Sequence, residues 1–149
     1  MRTPETIATL NSLIRICRDE ERLCRAWGGL AHSAPLRHLL GHRSEEWGRQ
    51  GDELQALVLL LGGEPATAAT VPARMQCVGL ACRAAVMGRS DAPATDGCER
   101  AQQYALSCYE RALGGYLPER IRRTVSLQAR QIAGRCERLP QIGGHLAAP

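Results

Sequence analysis

The chain has 149 residues, of which 44% are apolar but only 3% aromatic with no Phe, and it carries a formal net charge of +4. That length suits one domain with a real core rather than two, and so aliphatic a core favours helix packed on helix over a β-sandwich. All nineteen basic residues are Arg, interleaved with acids as in Arg18-Asp19-Glu20-Glu21-Arg22, so no strong single-sign face marks the chain for nucleic acid.

The first helix is expected from Thr3 as N-cap, with Pro4 at the first helical position and Glu5 in the first turn, to about Trp27, where Gly28-Gly29 stop it. Its seam, at alternating spacings of three and four, reads Ile7, Leu10, Ile14, Cys17, Glu21, Cys24, which sets a carboxylate on a buried stripe. A second helix, capped by Ser33, is expected over Ala34–Leu61 and ends at Gly62-Gly63-Glu64-Pro65. Its seam is Leu36, Leu40, Arg43, Trp47, Gln50, Leu54, Leu57, Leu61. Gly41, Gly48 and Gly51 weaken it by roughly 1 kcal/mol each relative to Ala, which close approach of a neighbouring helix would explain.

A loop over Ala66–Pro72 leads to a shorter helical stretch, Ala73–Met87, and a turn at Ser90–Pro93. The third long helix covers about Ala94–Leu113. The fourth runs from Pro118 or Glu119 to Leu139, where Pro140 stops it and leaves a frayed tail over 140–149. No strand alternation, hairpin signal or internal repeat interrupts this pattern. The expectation is one all-α domain over residues 1–149, with its core at about 3–139. It is a four-helix bundle of two antiparallel hairpins joined by a long crossover that carries a short extra helix.

Three stretches, TIATLNSLIRICRDEE, DELQALVLLLGGEP and CERAQQYALSCYERALGGYLPERIRRTVSLQ, resemble a bacterial family of small ferritin-like four-helix bundles known only as a domain of unknown function. The resemblance runs from about Thr3 to Leu139 and implies a fold but no activity. Ferritin-like metal proteins point one Glu inward from each of two helices and a Glu-x-x-His pair from each of the other two. Here Glu45 and Glu46 are followed at that spacing by Gly48 and Arg49, and the fourth helix has Gln128, Gln131 and Arg135 instead. None of His32, His38, His42 and His145 has the required spacing.

The expected interior is therefore a polar network of Glu21, Arg43, Gln50, Gln102 or Gln103, and Gln128, in which Glu21 pairs with Arg43, since an unpaired buried carboxylate would be costly. No metal and no cofactor is expected. If a metal binds, an irregular set of Glu21, Glu46, Glu99 and Glu110 would hold iron or manganese. Seven cysteines without CxxC spacing read as small buried hydrophobes. The sharper alternative is copper or redox handling through Cys17, Cys24, Cys98, Cys108 and Cys136. No phosphate loop, GxSxG or HExxH is present.

The functional expectation is a non-enzymatic bundle with a structural or interaction role and a degraded metal site. The alternative is a metal-binding ferritin-like protein with that irregular carboxylate set. Self-association as a homo-oligomer is compatible with the composition, and the identity of any protein partner stays open. Neither nucleic acid nor membrane is an expected partner. The start MRTPETIATL has no long apolar leader, and the best apolar run, Leu54–Leu61, is too short to span a bilayer, so a cytoplasmic chain is expected.

Overall fold

The computed structural model describes residues 2–67, 79 and 91–147, with side chains described as far as Cys136 except at 92 and 93. It consists of four helices, α1 (Thr3–Leu30), α2 (Ala34–Leu60), α3 (Ala92–Gly114) and α4 (Glu119–Ala147), and no strand among the described residues. The short helix expected over Ala73–Met87, with Cys77 and Cys82, lies outside the described residues, Gly79 apart.

Three helix ends differ from expectation. Arg2 rather than Thr3 is the N-cap of α1, and it makes no side-chain cap bond. The helix then runs through Gly28-Gly29 to Leu30, and the extended conformation of Ala31, whose N–H still reaches the Trp27 carbonyl, ends it. Two glycines lower helix propensity without forbidding the helix, and here the packing of Trp27 among Leu23, Leu36 and Leu40 holds the last turns. The α4 backbone continues past Pro140 to Ala147, so the proline removes one rung of the hydrogen-bond ladder instead of ending it. Ser33 does cap α2, its Oγ accepting from the Leu36 N–H at 3.4 Å.

The helices form a ring in which α1 contacts α2 and α3, and α4 contacts α3 closely and α2 more sparsely. Seam residues account for this. Where α1 meets α2, Ser44 Oγ donates to the Glu21 carbonyl at 3.0 Å. A Cβ on Gly48 would stand 3.1 Å from Glu21 Oε1, and one on Gly51 would stand 3.0 Å from Arg18 Cζ. Small residues thus let these two backbones approach, while the sparser α2–α4 seam is bridged by long side chains. Gly41 meets open space and plays no such part.

The core has two apolar clusters. One gathers Leu10, Leu13, Ile14, Cys17, Trp47, Leu54, Val58, Tyr109, Ile121, Val125 and Ile132, and the other Leu23, Trp27, Leu36, Leu40, Ala94 and Cys98. Both ends of the long connection are tied to the first hairpin. Asn11 bonds the Glu64 carbonyl and the Ala66 N–H (3.0 and 2.8 Å), and the Asp91 carboxylate accepts from the N–H groups of His32 and Ser33 (2.8 and 2.9 Å). At the second hairpin, Arg122 donates to the carbonyls of Leu113 and Gly115, satisfying the end of α3.

Candidate functional site

A network of buried side chains to which all four helices contribute runs through the first apolar cluster. Its centre is Glu46 on α2. Arg43 Nη1 donates to Glu46 Oε1 at 3.1 Å, and Arg135 Nη1 on α4 donates to Oε2 at 3.0 Å. The two guanidinium side chains are 2% and 1% exposed, and the carboxylate between them compensates both charges. Burial works to raise the Glu46 pKa, but the bond and charge of Arg135, then the charge of Arg43, outweigh it and hold the carboxyl below its ordinary value. His42 adds an edge contact at 3.4 Å.

From this clamp a hydrogen-bonded chain crosses the bundle. Arg135 Nη2 donates to Gln50 Oε1 at 2.8 Å, and Gln50 Nε2 donates to Gln131 Oε1 at 3.1 Å. Gln128 Nε2 donates to the Gln50 carbonyl at 3.2 Å. The Tyr109 hydroxyl donates to Gln128 Oε1 at 2.7 Å and touches Cys17 Sγ at 3.2 Å. Arg135 also stacks over Trp47, its Cζ 4.6 Å from the ring centre. Burial pushes the Cys17 thiol up to about 12, with the Tyr109 contact opposing, so it stays protonated at neutral pH.

The expected Glu21–Arg43 pair is not what forms. The Glu21 carboxylate faces α2's outer edge and pairs with Arg18 (3.4 Å) and Arg25 (3.1 Å). Arg18 in turn binds Asp52 at 2.8 Å, Gln55 at 3.2 Å and the Gly48 carbonyl at 3.3 Å. The carboxylate that α1 does bury is Glu20, 6% exposed. Glu20 makes no hydrogen bond among the described residues. Burial pushes its carboxyl up to about 8, Asp19 adds to the rise, and Arg135 partly opposes it.

Of the amides, Gln50 and Gln128 take their expected places. Gln102 is fully buried with neither amide atom bonded among the described residues, and Gln103 is exposed. Gln102 lies on the α3 face that carries Cys98, Ala105 and Tyr109. Cys24–Cys98 and Cys17–Tyr109 contacts bracket this stretch of the α1–α3 seam, so Glu20 and Gln102 occupy one layer between them.

The irregular carboxylate set does not converge. Glu21 and Glu46 are held by separate arginine pairs, Glu110 is exposed, and Glu99 stands eleven residues before it on α3, roughly 16 Å along the axis. Among the described residues no three His, Cys, Asp or Glu side chains are grouped to hold a metal ion. Among the described residues the donors a ferritin-like metal centre requires are not assembled, and the network holds the Arg43 and Arg135 cations. Nor is any helix among the described residues long and apolar enough to cross a membrane.

The family described as Domain of unknown function (DUF2383) matches residues 5–115, about three quarters of the chain, covering α2, α3 and all but the first two residues of α1. No curated protein matches it.

Proposed function

We propose that this chain, which belongs to the DUF2383 family, is a non-enzymatic ferritin-like bundle with a structural or interaction role. In this reading an ion-pair and amide network takes the interior position where a metal-bearing relative would hold its ions. The observation that carries it is the Arg43–Glu46–Arg135 clamp. Both oxygens of the inward α2 carboxylate accept from buried guanidinium groups, and a divalent cation there would have to displace one of them against the repulsion of both. Among the described residues the network holds a fixed charge arrangement, with neither an activated nucleophile nor a general base beside an open site.

A scaffold presents surfaces instead of chemistry. Leu59 and Leu60 near the end of α2, Tyr104 on α3, Tyr116 between α3 and α4, and Leu127 on α4 are each half or more exposed, and they supply apolar contact for a protein partner or a second copy of the chain.

Elemental analysis of untagged protein, purified from cells supplemented with iron and manganese, tests the reading. Less than a tenth of an equivalent of either metal is expected. One or two ions per chain, lost together with stability on substituting Glu46, would overturn it. Light scattering at rising concentration tests self-association, and a mass fixed at one chain would remove the second copy as partner.

A further inference from the structure

The α2–α4 seam is fastened at one end and more open at the other. Every α2–α4 bond described above involves Glu46 or Gln50, among them Gln50 to Gln131 at 3.1 Å and Glu46 to Arg135 at 3.0 Å. These contacts set the helices antiparallel, since residue numbers fall along α4 as they rise along α2. Counted from Gln50 and Gln131, Glu53 and Leu127 stand within roughly 2 Å of one height, as do Leu60 and Arg120.

The rows that continue toward this open end are exposed on both helices. On α2 the row is Glu53, Ala56 and Leu60, and on α4 it is Arg120, Arg123, Leu127 and Arg130, at spacings of three and four that keep each on one face. Leu60 is 67% exposed and Leu127 50%. Leu57, between Glu53 and Leu60, packs half-buried on the first apolar cluster. The two rows differ in charge. The α4 row carries three arginines, one of them offset by Glu119, 3.5 Å from Arg123. On α2, Asp52 is turned toward α1, where Arg18 holds it at 2.8 Å, and Glu53 is the acid set beside Ala56.

We propose that this face pairs with the same face of a second copy about a two-fold axis running along the bundle, so that α2 of each chain lies on α4 of the other. This deepens the interaction role proposed above and rests on it.

Charge and symmetry select this occupant and this arrangement. A two-fold contact uses one patch twice, so the patch must complement itself. A two-fold axis across the bundle would stack α4 on α4 and set the arginine rows against each other, which like-charge repulsion disfavours. With the axis along the bundle, heights are kept. Glu53 then meets Leu127 of the partner subunit, between Arg123 and Arg130 of the partner subunit, and Leu60 lies along the aliphatic stem of Arg120 of the partner subunit. Ala56, the smallest side chain of its row, lets the helices approach. Arg49, one turn before Glu53, is the charge that would face Arg130 unfavourably. It lies away from Ala56, on the side where crossing helices diverge. The result is an apolar centre of Leu57, Leu60 and Leu127 with ion pairs at its edge, the usual anatomy of a specific interface.

Light scattering of the full chain at rising concentration is expected to give about 32 kDa, twice the chain mass of 16.2 kDa. Glu53→Arg, and separately Arg123→Glu combined with Arg130→Glu, should each raise the dissociation constant by more than about tenfold, because each sets like charges together at both symmetric contacts. Mixed one to one, the two variants should recover the dimer, since both contacts then pair opposite charges. All three positions are exposed, and circular dichroism checks that the helices persist. Either variant alone dimerising as wild type does, or a mixture that stays monomeric, would overturn the packing of α2 on α4. A wild type fixed at one chain would overturn the dimer and leave the face to a protein of different sequence. That result would not touch the metal-free interior, which elemental analysis reads separately.

Discussion

Substituting Glu46 tests the central clamp most directly. Glu46→Gln keeps the side-chain volume and one acceptor oxygen but removes the charge that Arg43 and Arg135 share. Removing one partner of a buried ion pair costs about 3–5 kcal/mol, because the remaining charge stays desolvated. The low end applies here. The Glu46 side chain is 17% exposed, and Arg135 retains Gln50 at 2.8 Å and the Trp47 ring. The expected loss is therefore about 3 kcal/mol, or roughly 10 °C in Tm for a domain of this size, read by urea unfolding at neutral pH.

The pH dependence supplies a second check. The folded Glu46 pKa lies below its ordinary value of 4.5. Its stabilisation is therefore present above that value and is lost as the pH falls through the folded one, so wild type and variant should converge in acid. A neutral-pH loss under about 1 kcal/mol, the range of an exposed pair, would refute the clamp as the organising contact. Exchanging all three residues for apolar ones of similar volume is expected to recover most of the loss.

Glu20 predicts the opposite limb. Its folded pKa, about 8, is raised above the ordinary 4.5, so its contribution is fully present below 4.5 and declines as the pH rises through that window, by over 1 kcal/mol per unit. Glu20→Gln should flatten stability between pH 5 and pH 8 and exceed wild type at the upper end, and parallel unfolding curves for the two would contradict this. Tyr109→Phe removes the hydroxyl joining Cys17 to Gln128 and leaves the buried Gln128 Oε1 without its donor, for an expected loss of about 1–2 kcal/mol in urea unfolding. Gly41→Ala should stabilise by up to about 1 kcal/mol, since its Cβ meets open space. Gly51→Ala should forfeit that gain by pushing Arg18 off Asp52 and the Gly48 carbonyl, so equal Tm gains for the two would show that the α1–α2 approach is not tight.

How far the interior could be read from the sequence comes down to one column of α1. Leu10, Cys17 and Cys24 are buried under either phasing of the seam. The open choice is which flank joins them: Ile14, Glu21 and Gly28, or Leu13, Glu20 and Trp27. The first flank gave Glu21 as the buried carboxylate. The structure buries Leu13, Glu20 and Trp27; of the first flank it buries Ile14 and leaves Glu21 and Gly28 half-buried.

A physical signal for the second flank was present. Trp27 carries far more apolar area than Gly28, so a heptad step back from it selects Glu20 and then Leu13. On α2 the same reasoning succeeds from Leu36 to Leu54, because Trp47 is itself on the seam; it slips only at the end, where Val58 is buried in place of Leu57 and Leu61. The partner of Arg43 was harder to read. Its carboxylate, Glu46, lies on its own helix one turn on and belongs equally to Arg135, some ninety residues away, a convergence that periodicity within one helix does not encode. In the proposed reading that shared carboxylate takes the place of a metal ion among the inward polar groups. Two arginine charges meet on one interior carboxylate, Arg43 from the same helix and Arg135 from across the bundle, so that Arg135 bridges α4 to α2. In the proposed reading the interior is thereby polar and held by ion pairs, and the exposed Leu59, Leu60, Tyr104, Tyr116 and Leu127 are the surfaces left for contact.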